Sequence, residues 1–157
     1  MSTVIENSNE VLNDLVRINN DRIEGYTKAQ KESEDNTPDL ISTFQSMVRQ
    51  SEECVADLTS LITKNGGTVA EGSTFAGKIY RVWMDLRVTF SADDKKNILA
   101  SCEFGEDAAQ KAYKTALEET DLTDDARTLI SNQKSMLRNS HDLIKRWRDQ
   151  QKEVSHH

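Results

Sequence analysis

Three histidines occur in the chain, and two of them, His156 and His157, are its last residues. His141 is therefore the imidazole placed among core positions, with Glu106, Gln133 and Glu53 as the polar residues that could work with it. A carboxylate-bridged two-iron site in a helical bundle needs a Glu from each of two helices and a Glu-x-x-His pair from each of the other two. Residues three apart leave one face of a helix, and carboxylates bridge the metals. Here Arg138 stands three positions before His141, and Ala56 three positions after Glu53. The literal match, Glu153-x-x-His156, falls in the tail beyond the last core position. The full six-ligand pattern is absent.

A reduced site is still within reach of the sequence. Two antiparallel helices around a loop near residue 121 set Glu106 level with Leu137, with Gln133 and His141 about a turn to either side. Glu106 and His141 would then form a buried hydrogen-bonded pair, because a buried carboxylate needs a partner or takes up a proton. That structural pair, with no resident cofactor, is the expectation. The alternative is one iron or other divalent ion on Glu106 and His141, assisted by Glu53 or Gln133.

Other chemistry finds less support. No serine or cysteine sits in a plausible setting with histidine and an orienting acid, and no glycine-rich phosphate loop occurs. Tyr26 and Tyr113 lie at core spacing and are expected to pack with their hydroxyls bonded. Cys54 and Cys102 fall on apolar stripes of different helices and read as small buried hydrophobes. Trp83 and Trp147 read as packing anchors.

The elements that must position these residues are helices. Thr3-x-x-Glu6 reads as a capping box, followed by Leu12, Leu15, Asn19, Ile23 and Tyr26 on one face. A polar run from Glu32 to Asn36 ends this helix. Thr37-Pro38-Asp39 starts the next, whose stripe is Leu40, Phe44, Met47, Val48, Ser51, Cys54, Val55, Leu58 and Ile62. Asn65-Gly66-Gly67 stops it. A third helix starts near Ser91 and presents Ile98, Cys102, Glu106, Ala109, Tyr113 and Ala116 or Leu117. The fourth follows Thr123, with Leu129, Ile130, Gln133, Leu137, His141, Ile144 and Trp147 inward. Each spans roughly 35–40 Å.

Residues 66–91 are too many for a tight turn. They carry an amphipathic segment of their own, Phe75, Ile79, Val82 or Trp83, and Leu86, after caps at Ser73 or Thr74. Arg87-Val88-Thr89-Phe90 has strand-like propensity. The expectation is an all-α four-helix bundle over residues 1–150, with a long helical crossover between helices two and three and a tail at 151–157. One long crossover between two helical pairs is the ferritin-like arrangement. If the crossover leaves Tyr80, Trp83 or Phe90 exposed, they form an association surface.

The totals bound the function classes. In 157 residues, 27 acidic side chains outnumber 20 basic ones, and a net charge of −7 argues against nucleic acid or a membrane surface as a partner. The basic cluster Lys145, Arg146, Arg148 and Lys152 complements the negative end of the last helix. No apolar stretch is long enough to span a bilayer, and the N-terminus has no signal-peptide core, so a cytoplasmic location is expected.

The segment Ile98-Leu99-Ala100-Ser101-Cys102-Glu103-Phe104-Gly105-Glu106-Asp107-Ala108-Ala109, then Ala112-Tyr113 and Ala116-Leu117, resembles a widespread bacterial family. So do Gly66-Gly67, Ser73 with Gly77 and Trp83, and Asn139-Ser140-His141-Asp142. That family is the ferritin-like four-helix-bundle proteins labelled only as a domain of unknown function. Its members often place asparagine directly before the histidine, where this chain has Ser140. The resemblance implies the fold and no activity. The functional expectation is a non-catalytic or regulatory bundle that acts as a homo-oligomer or on a protein partner, in a stress response. A metal-binding or iron-handling protein with a degenerate site is the alternative.

Overall fold

A computed structural model describes residues 2–33, 38–71 and 95–155. Four α-helices carry the fold: α1 Ser2–Ser33, α2 Ile41–Lys64, α3 Lys95–Glu118 and α4 Asp124–Ser155, with a short 3-10 turn at Pro38–Leu40 before α2. No strand occurs among the described residues. The crossover helix expected within 66–91, the strand-like Arg87–Phe90, and the candidate contact residues Tyr80, Trp83 and Phe90 lie outside them.

The helix ends follow local chemistry. Gly66 closes α2 at φ 78°, a left-handed conformation open to glycine at little steric cost, and Gly67 N–H donates to Ile62 O at 2.9 Å. At the start of α4, the Thr123 hydroxyl accepts from Ala126 N–H at 3.2 Å, and Asp124 and Asp125 occupy the first turn. Arg127 reaches back to the carbonyls of Leu117 and Glu119 and satisfies the end of α3. Pro38 does not begin the α-helix as the sequence suggested. The chain makes the 3-10 turn first, and α2 follows Leu40 without a side-chain cap.

Helices pair as two antiparallel hairpins, α1 with α2 and α3 with α4, which pack face to face. Cross-helix bonds fix their directions. Asn9 meets Asn65 near the start of α1, and Asn7 and Ser8 meet the loop before α4 at Asp121 O and Thr123 N. Higher up, Asn19 meets Tyr113 and Arg22 meets Glu106. The start of α1, the end of α2 and the 119–123 loop therefore share a lower end. The chain leaves α2 there and enters α3 at the upper end, so α2 and α3 run parallel.

The buried positions advance by alternating steps of three and four. In α1 this series is Leu12, Leu15, Asn19, Arg22, Tyr26, Ala29 and Ser33, with Val11, Val16, Ile18 and Asp21 buried beside it; in α4 it is Ala126, Ile130, Gln133, Leu137, Ser140 and Ile144. This is the seam of helices packed nearly antiparallel in a bundle. Two apolar clusters result. The upper contains Ile18, Tyr26, Phe44, Met47, Ile98, Leu99, Cys102 and Ile144, and the lower contains Leu12, Leu15, Cys54, Leu58, Ile62, Tyr113, Ile130 and Leu137. Buried polar side chains lie between them.

Below α2 the chain is tied to α1. The Asn13 side chain donates to Thr68 O at 2.9 Å and accepts from Ala70 N–H at 2.7 Å, so one amide stands in for a backbone neighbour. A Cβ on Gly67 would come within 2.5 Å of Asn9 Nδ2, whose own oxygen is bonded to Asn65. Gly67→Ala should therefore lower stability by roughly 1–2 kcal/mol. In an Asn9→Ala background the penalty should shrink, since the clashing amide is gone. Urea unfolding of the four proteins of this cycle measures both, and an equal penalty in both backgrounds would refute the contact.

Candidate functional site

The polar layer at mid-height is built around Arg22. An arginine cannot shed its charge, so burying it requires a counter-charge and several acceptors. Arg22 is fully buried, and α3 supplies Glu106, also fully buried. Nη2 and Nε of Arg22 donate to Glu106 Oε1 at 2.5 and 3.2 Å, and the Tyr26 hydroxyl donates to the same oxygen at 2.6 Å. The remaining guanidinium donors turn to α2, to the Ser51 hydroxyl and to Gln50 Oε1. The guanidinium carbon also lies 5.3 Å from the centre of the Tyr26 ring, which packs on Phe44 at 5.5 Å.

The layer continues across the bundle. Asn19 donates to the Tyr113 hydroxyl at 2.8 Å, Tyr113 donates to Gln133 Oε1 at 2.6 Å, and Gln133 donates to Cys54 O at 3.2 Å. Ser140 donates to Gln50 Oε1 at 2.8 Å. All four helices thus contribute. Burial alone would weaken the Arg22 charge, but Glu106 beside it reverses that and holds the guanidinium more firmly protonated than usual. Tyr26 is pushed well up, by burial first and by Glu106 second, and Tyr113 is pushed up by burial. Both phenols stay neutral and act as hydrogen-bond relays.

The structure separates the four candidate ligands. Glu106 is engaged by Arg22 and Tyr26, and both ends of the Gln133 amide are used by Tyr113 and Cys54. Glu53 is exposed on α2. His141 does not pair with Glu106: it stands at the edge of the α3–α4 seam, half-buried, with Nε2 at 2.5 Å from Asp107 Oδ1 and Nδ1 at 3.1 Å from Asp142 Oδ1. The core place expected for His141 belongs to its neighbour Ser140, because the steps along α4 run 133, 137, 140, 144. Among the described residues no group of three or more His, Cys, Asp or Glu side chains converges on a common point. Beside Glu106 the place of a counter-cation is taken by the Arg22 guanidinium.

Arg22 is the residue that sequence reasoning missed. The stripe read through Leu15, Asn19, Ile23 and Tyr26 put Ile23 inward, whereas Ile23 is half-exposed and Arg22 is in the core. The signal was the spacing itself, since Leu12, Leu15, Asn19, Arg22, Tyr26 and Ala29 alternate threes and fours without a break.

His141 is one rung of a polar seam between α3 and α4. Gln110 donates to Lys134 O, Asp107 meets His141, and Arg148 donates to Glu103 at 2.7 Å. Burial opposes the His141 charge, but hydrogen bonds to Asp142 and Asp107 outweigh it and raise the pKa.

A family model described as Domain of unknown function (DUF2383) matches residues 7–119. That span holds Asn19, Arg22, Tyr26, Ser51, Glu106 and Tyr113, while Gln133, Ser140 and His141 follow it. No curated protein and no solved structure matches the chain.

Two tests follow from this geometry. Glu106→Leu leaves a buried, unpaired guanidinium and should cost about 3–5 kcal/mol, whereas Arg22→Met combined with Glu106→Leu should recover most of it. Denaturant unfolding of the cycle measures this, and a Glu106→Leu protein within about 1 kcal/mol of wild type would show that the pair is not the constraint. For His141, a folded pKa above the unfolded one near 6.5 means its contribution is fully present below about pH 6.5 and fades as pH rises through the folded value. An NMR titration should place His141 above a free histidine, and Asp107→Asn should lower it.

Proposed function

We propose that this chain, which belongs to the family of unknown function DUF2383, is a non-catalytic bundle of ferritin-like architecture that acts by self-association. The observation that carries this reading is the Arg22–Glu106 pair. One oxygen of the acid that an iron-handling bundle would turn toward metal is here taken by the protein's own cation and by Tyr26. With the interior closed on itself, the groups free to meet another molecule are on the surface. Among the described residues, Phe104 on α3 is 58% exposed and Ile5 on α1 is 40% exposed. Tyr80, Trp83 and Phe90 are the sequence's candidates for a contact surface.

Sedimentation velocity over a wide concentration range tests the reading. We expect a reversible oligomer that weakens by about tenfold or more in affinity when Tyr80, Trp83 and Phe90 are changed together to alanine, with helicity retained. A monomer at every concentration would defeat self-association. Elemental analysis after exposure to iron(II), manganese and zinc separates the rival: about one retained ion per chain, lost in Glu106→Gln, would move the assignment to a metal protein.

A further inference from the structure

The outward faces of the helices differ in kind. Exposed positions on α2 include Arg49, Glu52 and Glu53, and those on α4 include Arg138, Asp142 and Lys145, as befits surfaces that meet water. On α3 the inward line is Cys102, Glu106, Ala109 and Tyr113. With about 100° of turn per residue, Ala100, Phe104, Ala108, Lys111 and Thr115 lie within about 40° of a line down the opposite side. Phe104 is 58% exposed on that line, with Ala100 and Ala108 half-buried a turn above and a turn below it.

A single surface phenylalanine is common and needs no partner. The charges around this one distinguish it. Between positions 100 and 115 the exposed charged residues are Asp107 and, a turn further down, Lys111 and Lys114. The Asp107 side chain is 60% exposed although its Oδ1 meets His141, whereas Glu103 is mostly covered and paired with Arg148. Two copies of a chain with net charge −7 repel one another. This face sets one exposed acid against two bases, so approach here meets no acidic excess.

Direction then follows from the order of the charges. A second α3 laid alongside in the same direction stacks Asp107 on Asp107 and lysines on lysines. Turned end for end about a two-fold axis beside Ala108, the second copy brings its Lys111 and Lys114 against Asp107 of the first. Its Phe104 falls over Ala108 and the Lys111 stem, and symmetry repeats every contact. Alanine at the crossing lets the helices come close enough for the ring to reach across. A lysine stem offers the ring apolar surface, with the ammonium near its face.

We propose that two copies of this chain associate antiparallel through the outer faces of α3, with Phe104 as the apolar anchor and Asp107 paired with Lys111 and Lys114 of the other copy. The inference rests on the self-association reading and gives it a surface, a direction and a symmetry.

Sedimentation velocity of the full chain over a wide concentration range is the experiment, with circular dichroism to confirm that each variant keeps its helices. Phe104→Glu should weaken association about tenfold or more, since it removes the anchor and adds a charge. Asp107→Lys and Lys111→Glu should each weaken it as well, and the two changes together should restore most of the affinity, because the swapped charges again meet their opposites across the two-fold. A wild-type oligomer whose affinity is unchanged in Phe104→Glu would overturn the α3 contact and leave self-association standing. Weakening by both single charge changes without recovery in the double variant would overturn the antiparallel arrangement. A wild-type monomer at every concentration would remove the reading and this surface together.

Discussion

Burying one guanidinium between four helices constrains almost everything around it. Arg22 cannot be neutralised, so α3 must bring a carboxylate to the same height, and that requirement sets the register of α3 on α1. Leftover donors must be met, and α2 meets them with Ser51 and Gln50. Gln50 in turn is the acceptor for Ser140, which aligns α4. A shift of any helix by one turn would strand a charge or a donor in an apolar core.

Apolar stripes would not select a single arrangement so firmly. Leucine, isoleucine and alanine at alternating threes and fours pack acceptably after sliding by a heptad, and a bundle made only of them has several registers of similar energy. Here the two apolar clusters flank a layer whose donors are aimed at particular acceptors on other helices. Such a layer need not add stability, because desolvating two charges is expensive and their attraction only roughly balances it. Its value lies in making the other registers worse. The second oxygen of Glu106 and the Asn19 Oδ1, both without a hydrogen-bond partner among the described residues, show that this selection leaves acceptors unbonded.

The sequence made the helices legible because their signals are local. Asn65-Gly66-Gly67 and Thr123 with the two aspartates after it act within a turn of the chain, and both ends fall where those residues place them. The polar layer was half legible. Asn19, Ser51, Glu106, Tyr113 and Gln133 were already on inward faces, yet the centre of the layer was read one residue off on α1 and on α4. In both helices a four-residue step was taken where the packed bundle takes three, which exchanged Arg22 for Ile23 and Ser140 for His141. Hydropathy favoured the error on α1, since isoleucine is the ordinary core residue and arginine is not. Only the partner on α3 explains why the arginine is tolerated inside, and that partner is 84 positions away in the chain.

His141 and Glu106 illustrate how position within a seam decides what a side chain can do. They are on neighbouring helices and nearly level, but one residue's rotation puts Glu106 between hairpins and His141 on the rim between α3 and α4. On the rim, the imidazole meets Asp107 and Asp142 and remains partly in water. Inside, Glu106 meets a fixed positive charge. The part of the chain that ties it to its family, residues 7–119, contains both partners of the buried pair and ends before His141. The residue that first invited a metal reading therefore stands outside that span, while the interaction that fills the interior lies wholly within it. A ligand seeking the centre of this bundle would have to displace a charge that the protein itself supplies, and nothing on the rim faces the same restriction.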